Sequence, residues 1–474
     1  MNIDFKKRIY SFVSFFLILI LLISCQATTE EFPVVVTQTS EQVNVSTPEP
    51  SSETGAIVTP TPRPTITVDH KTLKGLTMTV LHPFAENEDL FNQMIRDFNL
   101  YNIWGIHVVG ISYPGYQALS HNLQSGELEV DMVIGMTKYL QTAGVPYEWI
   151  DLGNYANDPK YGVQDLYDQG SVFASLLPRF DADTLSDLPL AFNTGLIYYN
   201  LGWAEALGEE TVPLSLEGLR SVANKAMVFN AYDDNYWNNG TGGLWLSQSA
   251  LSAVSWYVNF GGELGDPRSG FLPEREVMME AFNFLKSLYL ADESWSGIEA
   301  NAYRYFSNRY ALAYEGSLSD LKYTNAYQNS GSFQDEWTTL PYFDDQGQTS
   351  LVLDSLSFAI SDTNEKSQLA VWLFGRWLLQ AEQQESLVAI HGFWPAMGDP
   401  ESLAPDFAQA NPAWLAPLKY QPRLTLPPSV PDWAQTELVF QDAFQRIYNL
   451  DSQYFPSILD VFEETMRINL EQVP

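Results

Sequence analysis

The chain has 474 residues, and its 58 acidic side chains outnumber its 24 basic ones, which gives a formal net charge of −34 at pH 7. Such an acidic surface argues against nucleic acid and anionic lipid as partners, because both bind through basic patches. The same charge is equally well explained as a means of staying soluble. Cys25 is the only cysteine, so an intramolecular disulfide is excluded.

The first residues have the pattern of a secretory signal. Basic side chains at positions 6–8 precede an apolar run over residues 9–23, so residues 1–24 are predicted to be a signal peptide. The order Leu22-Ile23-Ser24-Cys25 resembles a bacterial lipobox. That resemblance implies that Cys25 is lipidated, becomes the new N-terminus and anchors the protein to the extracytoplasmic face of a membrane. The alternative is an uncleaved anchor helix, although about 15 apolar residues fall short of the roughly 20 that a span needs.

A low-complexity segment follows. Residues 25–75 are rich in Thr, Ser and Pro, most clearly in Thr59-Pro60-Thr61-Pro62-Arg63-Pro64. This composition predicts a disordered linker, because it cannot bury enough apolar surface to become ordered. Its prolines favour an extended spacer, and a tail without a spacing role is the alternative. The remaining chain of about 400 residues exceeds what one compact core usually supports, so two lobes are expected.

The first lobe begins with alternating strands and helices. Residues 76–82, 106–112 and 130–134 read as strands, and residues 88–99 and 116–124 read as amphipathic helices between them. A βαβαβ order predicts a parallel sheet that is covered by helices on both faces. In such sheets, ligands bind beyond the carboxyl ends of the strands.

Four polar or aromatic residues lie at those predicted strand ends and are candidate ligand contacts. They are His82, Glu86, Tyr113 and Tyr139. A single histidine is also compatible with a structural hydrogen bond. Glu86 could equally be a first-turn acid that complements a helix dipole.

A second α/β region follows after residue 188. The predicted strands there are residues 196–200, 243–246, 310–314 and 356–360. The predicted helices are residues 202–207, 216–227, 250–260, 274–291, 365–379, 433–448 and 455–469. Ser215 is a candidate N-cap of the predicted helix at residues 216–227. Gly261-Gly262 is expected to end the predicted helix at residues 250–260.

Several short segments, taken in order, carry a resemblance to a known family. They are His82-Pro83-Phe84, Val130-Asp131-Met132-Val133, Trp149-Ile150-Asp151-Leu152, Leu188-Pro189-Leu190-Ala191-Phe192-Asn193 with Ile197-Tyr198-Tyr199-Asn200, Gly261-Gly262, Thr339-Leu340-Pro341 and Gly392-Phe393-Trp394-Pro395. Over residues 76–469 the chain resembles the family 1 extracellular solute-binding proteins, which are maltose-binding-protein-like receptors that deliver sugars to ABC importers.

The resemblance implies an α/β fold of the two-lobed, type II periplasmic-binding-protein kind. Each lobe would be a mainly parallel sheet flanked by helices, and a hinge of several chain crossings would join the two. Lobe 1 would comprise residues 76–187 and 342–391, and lobe 2 residues 189–341 and 394–474. Pro189, Pro341 and Pro395 would fall at the crossings, where a fixed φ limits the hinge to few positions.

Sugars present apolar C–H faces and hydroxyl rims, which call for aromatic rings and neutral or acidic hydrogen-bonding groups. Further candidate contacts are therefore Trp433, Trp245, Trp394, Asn193, Glu315 and Asp354. The alternatives are core packing for the tryptophans, hinge packing for Trp394 in particular, and solvated loops for the two acids. Many relatives carry a tryptophan where this chain has Glu315-Gly316-Ser317-Leu318, so ligand identity cannot be transferred from the family.

The resemblance implies a monomeric, non-catalytic receptor for a mono- or oligosaccharide, with ABC permease subunits as its membrane partner. No cofactor is expected. No metal is expected either, because the weak calcium-loop pattern Asp181-Ala182-Asp183 has Leu185 where a further oxygen ligand would be needed. Two alternatives stay open. One is a ligand-presenting or adhesion lipoprotein of the same fold, and the other is a surface glycosidase that uses two of the many carboxylates.

Overall fold

In the described part of the chain, twelve strands form a curled, mixed sheet, and helices cover it. The computed structural model describes residues 65–125, 129–141, 148–167, 171–178, 185–265, 271–297, 302–430 and 433–471. All of them belong to one compact unit that spans residues 62–474. The predicted signal peptide, Cys25, most of the predicted linker and Asp181-Ala182-Asp183 lie outside the described residues.

The strands are, in chain order, β1 (Thr77–His82), β2 (His107–Ser112), β3 (Met132–Met136), β4 (Leu188–Asn200), β5 (Gly242–Ser247), β6 (Ser294–Gly297), β7 (Ala311–Ser317), β8 (Trp337–Leu340), β9 (Tyr342–Phe343), β10 (Thr349–Ile360), β11 (Trp394–Pro395) and β12 (Arg423–Thr425). The main path through the sheet runs β2-β1-β3-β10-β4-β7-β5-β6, with the four short strands β8, β9, β11 and β12 paired alongside it.

The described α-helices are α1 (Glu88–Tyr101), α2 (Tyr116–Ser125), α3 (Thr137–Leu140), α4 (Gly153–Ala156), α5 (Gln164–Tyr167), α6 (Leu201–Ala206), α7 (Leu216–Tyr232), α8 (Ala250–Asn259), α9 (Arg275–Leu290), α10 (Ala302–Ser307), α11 (Leu321–Ser330), α12 (Glu365–Leu378), α13 (Ala381–His391), α14 (Pro400–Leu403), α15 (Pro405–Ala410), α16 (Trp433–Asn449) and α17 (Phe455–Glu471). Within the described ranges, no helix combines the length and apolar character that crossing a bilayer requires.

The predicted βαβαβ unit is confirmed at the start of the fold. β1 pairs in parallel with β2 on one side and with β3 on the other. α1 buries most of the apolar face that its sequence pattern predicts, with Phe91, Met94, Ile95 and Phe98 buried, while Leu90 on the same predicted face is half exposed. The carboxyl ends of these three strands therefore meet at one edge of the sheet.

Two long strands connect this first half of the sheet to the second half. β4 pairs antiparallel with β10 through Thr194, and from Gly195 onward it pairs with β7 and β8 instead. The sequence predicted only the last five residues of β4 and of β10. Pro189 lies inside β4, and the register shifts between Leu356 and Ser357 opposite it, since proline has no N–H for a ladder hydrogen bond.

The buried side chains form two large clusters, which we call the first core and the second core. The first core lies under β1 and β3 and includes Leu73, Trp372 and Trp394. The second core includes Trp203 and Trp433. Trp394 packs with the first core, which also contains Trp245 and Tyr314 from the second half of the sheet. The lobe boundaries themselves stay a prediction.

The end of the predicted linker is part of the folded unit. Residues 65–75 include a 3₁₀ turn, His70–Leu73, and the side chain of Leu73 is fully buried. The amide of Ile66 donates to the Asp158 carboxylate over 3.0 Å. The folded part therefore starts before residue 76, because one leucine and one backbone hydrogen bond fix this segment to the first core.

Ser215 caps α7 as the sequence predicted, since its Oγ accepts from the amide of Gly218 over 3.1 Å. We expect Ser215→Ala to lower the free energy of unfolding by about 1 kcal/mol in urea titrations, because one helix-end amide loses its partner. Ser215→Asp is the matched control, since aspartate accepts the same hydrogen bond. Equal unfolding midpoints for Ser215→Ala and the parent would contradict the capping role.

Candidate ligand-binding site

Three cavities meet at one point between the two halves of the sheet. Cavity A, of about 540 Å³, is lined by residues that include Trp149, Leu426 and Trp433. Cavity B, of about 470 Å³, is lined by residues that include Trp245, Tyr303 and Glu315. Cavity C, of about 740 Å³, is lined by residues that include Glu86, Tyr139 and Lys322. Lys138 and Asp354 line all three cavities.

An ion cluster of Lys138, Asp354 and Glu437 occupies this meeting point. Lys138 follows β3 directly, Asp354 lies in β10 and Glu437 lies in α16. The Lys138 ammonium is 2.7 Å from Asp354 Oδ2 and 2.8 Å from Glu437 Oε2. Burial alone would lower the pKa of Lys138, but attraction to the two carboxylates outweighs burial and raises it. Burial raises the pKa of Glu437, against the opposing pull of Lys138.

Glu437 also fixes the aromatic side chain that opens α16. Its Oε1 accepts a hydrogen bond from the Trp433 indole N–H over 2.8 Å, while its Oε2 accepts from Lys138. One buried carboxylate thereby links a helix of the second core to the end of β3. The orientation of Trp433 towards cavity A depends on this contact.

Cavity C lies where the strand order places a ligand, at the carboxyl ends of β1, β2 and β3. Its rim is closed by Glu86, which accepts from the Lys322 ammonium over 2.6 Å and from the Tyr323 hydroxyl over 2.8 Å. The Lys322 hydrogen bond, followed by that of Tyr323, holds the pKa of the Glu86 carboxyl below its ordinary value. The ion pair of Glu86 with Lys322 is half exposed to solvent, so its contribution to stability is small.

Cavity B has a buried carboxylate in its wall. Glu315 accepts hydrogen bonds from the Ser247 amide over 2.7 Å, from Ser252 Oγ over 2.6 Å, and from the Trp256 indole. Burial raises the pKa of Glu315 to about 7, and the three donors only partly oppose that shift. Trp245 and the rim residue Tyr303 line the same cavity.

Seven of the ten predicted contact residues line these cavities. They are Trp433 in cavity A, Glu86 and Tyr139 in cavity C, Trp245 and Glu315 in cavity B, Asn193 in cavities B and C, and Asp354 in all three.

The other three predicted contacts pack elsewhere. His82 is fully buried against Phe91, with ring centroids 4.5 Å apart. Trp394 is fully buried and donates its indole N–H to the carbonyl of Trp414 over 3.0 Å. Tyr113 packs on a small cluster around Leu119. None of these three residues is among the described lining of cavities A, B or C.

The sequence analysis missed several residues of the site. Lys138 lies just past β3, where a contact was expected, but Tyr139 was chosen instead. Glu437 follows Trp433 by one helical turn, a spacing that could have identified it. Tyr303 and Asp320 gave no local signal. Among the described residues, no group of three or more His, Cys, Asp or Glu side chains is arranged to hold a metal ion.

Comparison with known proteins agrees with this geometry. The family model of bacterial extracellular solute-binding proteins matches residues 93–417. The cyclic α-maltosyl-1,6-maltose binding protein from Arthrobacter globiformis superposes with a TM-score of 0.66 at 14% identity, over 84% of this chain and 100% of that chain. The sugar-binding protein MalE from Xanthomonas citri gives 0.63 at 17% identity, over 84% and 100% of the two chains.

UgpB from Mycobacterium tuberculosis, in complex with glycerophosphocholine, gives a TM-score of 0.64 at 13% identity, over 83% of this chain and 98% of that chain. No curated protein matches the chain. At identities this low, the structural likeness establishes the two-lobed fold alone.

The raised pKa of Glu315 has a measurable effect on stability. Its protonated form is favoured in the folded state, so its contribution is complete below pH 4.5 and is lost as the pH rises through about 7. At about 1.4 kcal/mol per pKa unit, the loss amounts to at most about 3 kcal/mol. We expect Glu315→Gln to remove this part of the pH dependence in urea unfolding between pH 4.5 and 8.

The two buried histidines act in the opposite direction, since burial lowers the pKa of His82 to about 4 and that of His391 to about 3. Their contribution grows as the pH rises towards 6.5, so only the difference between parent and variant isolates Glu315. Exposed Glu464→Gln is the matched control. A difference between parent and Glu315→Gln that stays constant across the pH range would refute the assignment.

Proposed function

The chain belongs to the bacterial extracellular solute-binding proteins, and from that premise we propose that it captures a carbohydrate between two lobes and delivers it to an ABC importer. The observation that carries the proposal is the meeting of cavities A, B and C at Lys138 and Asp354, between the two halves of the sheet. The proposed role is binding and release, without catalysis.

The lining chemistry supports a polyhydroxylated ligand. Aromatic rings of Trp245, Tyr303 and Tyr139 stand beside serine, amide and carboxylate groups in cavities B and C. Rings of this kind pack on the C–H faces of sugars, while the polar groups exchange hydrogen bonds with hydroxyls. Lys138 and Lys322, the lysines among the described lining residues, are ion-paired, so an anionic ligand would meet more acids than free cations.

Contacts that cross between the two halves support closure around the ligand. Glu437 and Lys138 join α16 to the end of β3, and Lys322 joins α11 to Glu86 after β1. Residues 76–187 with 342–391 would move against residues 189–341 with 394–474 about β4 and β10. A ligand favours the closed state only by the difference between its affinities for the two states, so it must touch both lobes.

The proposed location of the protein follows from its N-terminal sequence. Cleavage ahead of Cys25 and its lipidation would anchor the receptor on the extracytoplasmic face of the membrane. The Thr/Ser/Pro-rich spacer would hold the folded part near the ABC permease subunits as a monomer. Tethering replaces free diffusion with a high effective concentration at the importer.

A thermal-shift screen tests the ligand class. We expect at least one mono- or oligosaccharide to raise the melting temperature in proportion to the logarithm of its concentration, because it binds the folded state alone. Amino acids, peptides and phosphodiesters such as glycerophosphocholine form the comparison arms. A shift with one of these and with no carbohydrate would show that the proposed ligand class is wrong.

A single substitution tests the place of binding. We expect Tyr303→Ala to weaken the binding of the best sugar about tenfold in calorimetry, a loss of about 1.4 kcal/mol, because a stacking surface is removed. Tyr454→Ala is the matched control, since this tyrosine is half exposed and lines none of the three cavities. Equal affinities of Tyr303→Ala and the parent would place the ligand outside cavity B.

A further inference from the structure

The wall of cavity B contains more acidic than basic side chains. Its described lining has three carboxylates, Glu315, Asp320 and Asp354, and one cation, Lys138. That cation is already engaged by Asp354 and by Glu437, which is itself buried beside it. The lysine charge is therefore fully compensated by these two carboxylates, which leaves Asp320 and Glu315, whose pKa burial raises to about 7, as the other acidic side chains of the cavity.

Asp320 has an acceptor that the protein leaves unused. It ends the 3₁₀ turn Leu318–Asp320, and its Oδ2 accepts from the Ser317 amide over 2.7 Å and from Ser317 Oγ over 3.3 Å. Among the described residues, no group donates to its Oδ1. Burial raises the pKa of Asp320, although the Ser317 hydrogen bonds and the charge of nearby Lys322 oppose this. Lys322 itself is committed to Glu86.

A second unused acceptor lines the same cavity. Asn193 Oδ1 is enclosed and has no hydrogen-bond partner among the described residues. A buried acceptor without a donor costs about 1–3 kcal/mol. Among its described lining residues, cavity B therefore combines one enclosed acceptor without a donor, the Asp320 carboxyl group with its free Oδ1, and two aromatic side chains, Trp245 and Tyr303.

An ammonium group meets all of these requirements together. It supplies three N–H donors and one positive charge, and charge-assisted hydrogen bonds to carboxylate are roughly twice as strong as neutral ones. It is also attracted to the faces of Trp and Tyr rings. A neutral hydroxyl or acetamido group brings fewer donors and leaves the carboxylate charge uncompensated.

We propose that cavity B receives an ammonium group carried by the carbohydrate, so that the preferred solute is an amino sugar. The inference rests on the proposed function, because it names the class of carbohydrate that the same cleft selects. Asp320 is the specificity-determining residue, with Asn193 and the aromatic pair Trp245 and Tyr303 as further contacts.

Calorimetry on the full chain tests this with matched sugars. The probes are glucosamine, galactosamine and mannosamine, their β-1,4-linked oligomers where these exist, and the N-acetyl and hydroxyl counterparts of each. We expect the best ammonium sugar to bind at least tenfold more tightly than both of its counterparts. We also expect that advantage to shrink as NaCl is raised, since charge interactions are screened. Equal or weaker binding of every ammonium sugar overturns the inference.

Variants locate the effect. Asp320→Asn should abolish the ammonium advantage, so that the ammonium sugar and its hydroxyl counterpart bind this variant with affinities within about twofold of each other. Asp442→Asn, at an exposed helix-surface pair, should change neither. An advantage that survives in folded Asp320→Asn removes this residue from the proposal. Should the variant melt below the assay temperature, the salt dependence in the parent decides, because a neutral selection mechanism would give none.

The outcomes separate the two proposals. Binding of neutral sugars without an ammonium preference refutes the amino-sugar inference and leaves the carbohydrate function standing. Binding of amino acids or glycerophosphocholine, with no sugar of either kind, refutes the proposed function and this inference with it.

Discussion

The antiparallel pairing of β4 with β10 is the constraint on which the rest of the molecule depends. β4 pairs with β10 over its first stretch and with β7 over the next. Backbone hydrogen bonds along this strand therefore join the two halves of the sheet. Thr194, where β4 changes partners, donates its hydroxyl to the carbonyl of Val352 over 2.8 Å. The cavities lie beside this crossing, since Asp354 of β10 lines all three of them and Asn193 of β4 lines cavities B and C.

The ion cluster makes the crossing polar at its centre. A lysine with two carboxylates costs desolvation energy, and such a group contributes less to stability than well-packed apolar residues would. The ion cluster instead fixes positions, since Lys138, Asp354 and Glu437 come from three different parts of the chain and their ion pairs hold those parts together. The same carboxylate orients Trp433, so electrostatics and the aromatic wall of cavity A are set together.

Local patterns predicted local structure well and non-local contacts poorly. The parallel strands, the buried face of α1 and the cap at Ser215 follow from periodicity and hydrogen-bonding preferences within a few residues. The ion cluster depends on a contact between Lys138 and Glu437, which are 299 residues apart, and no spacing rule reaches that far. Trp394 and Trp245 are equally aromatic in the sequence and both are buried in the first core, and only the three-dimensional packing brings Trp245 and not Trp394 to the wall of a cavity.

The attachment of residues 65–75 has a mechanical consequence. Leu73 is buried in the first core, and Ile66 is hydrogen-bonded to Asp158, so residues 65–75 are attached beside the first half of the sheet. Tension on that segment would load the first half and perform no work on the angle between the halves. If the two halves move as proposed, opening and closing would be mechanically decoupled from a pull on residues 65–75, and the work of closure would be left to the bound solute.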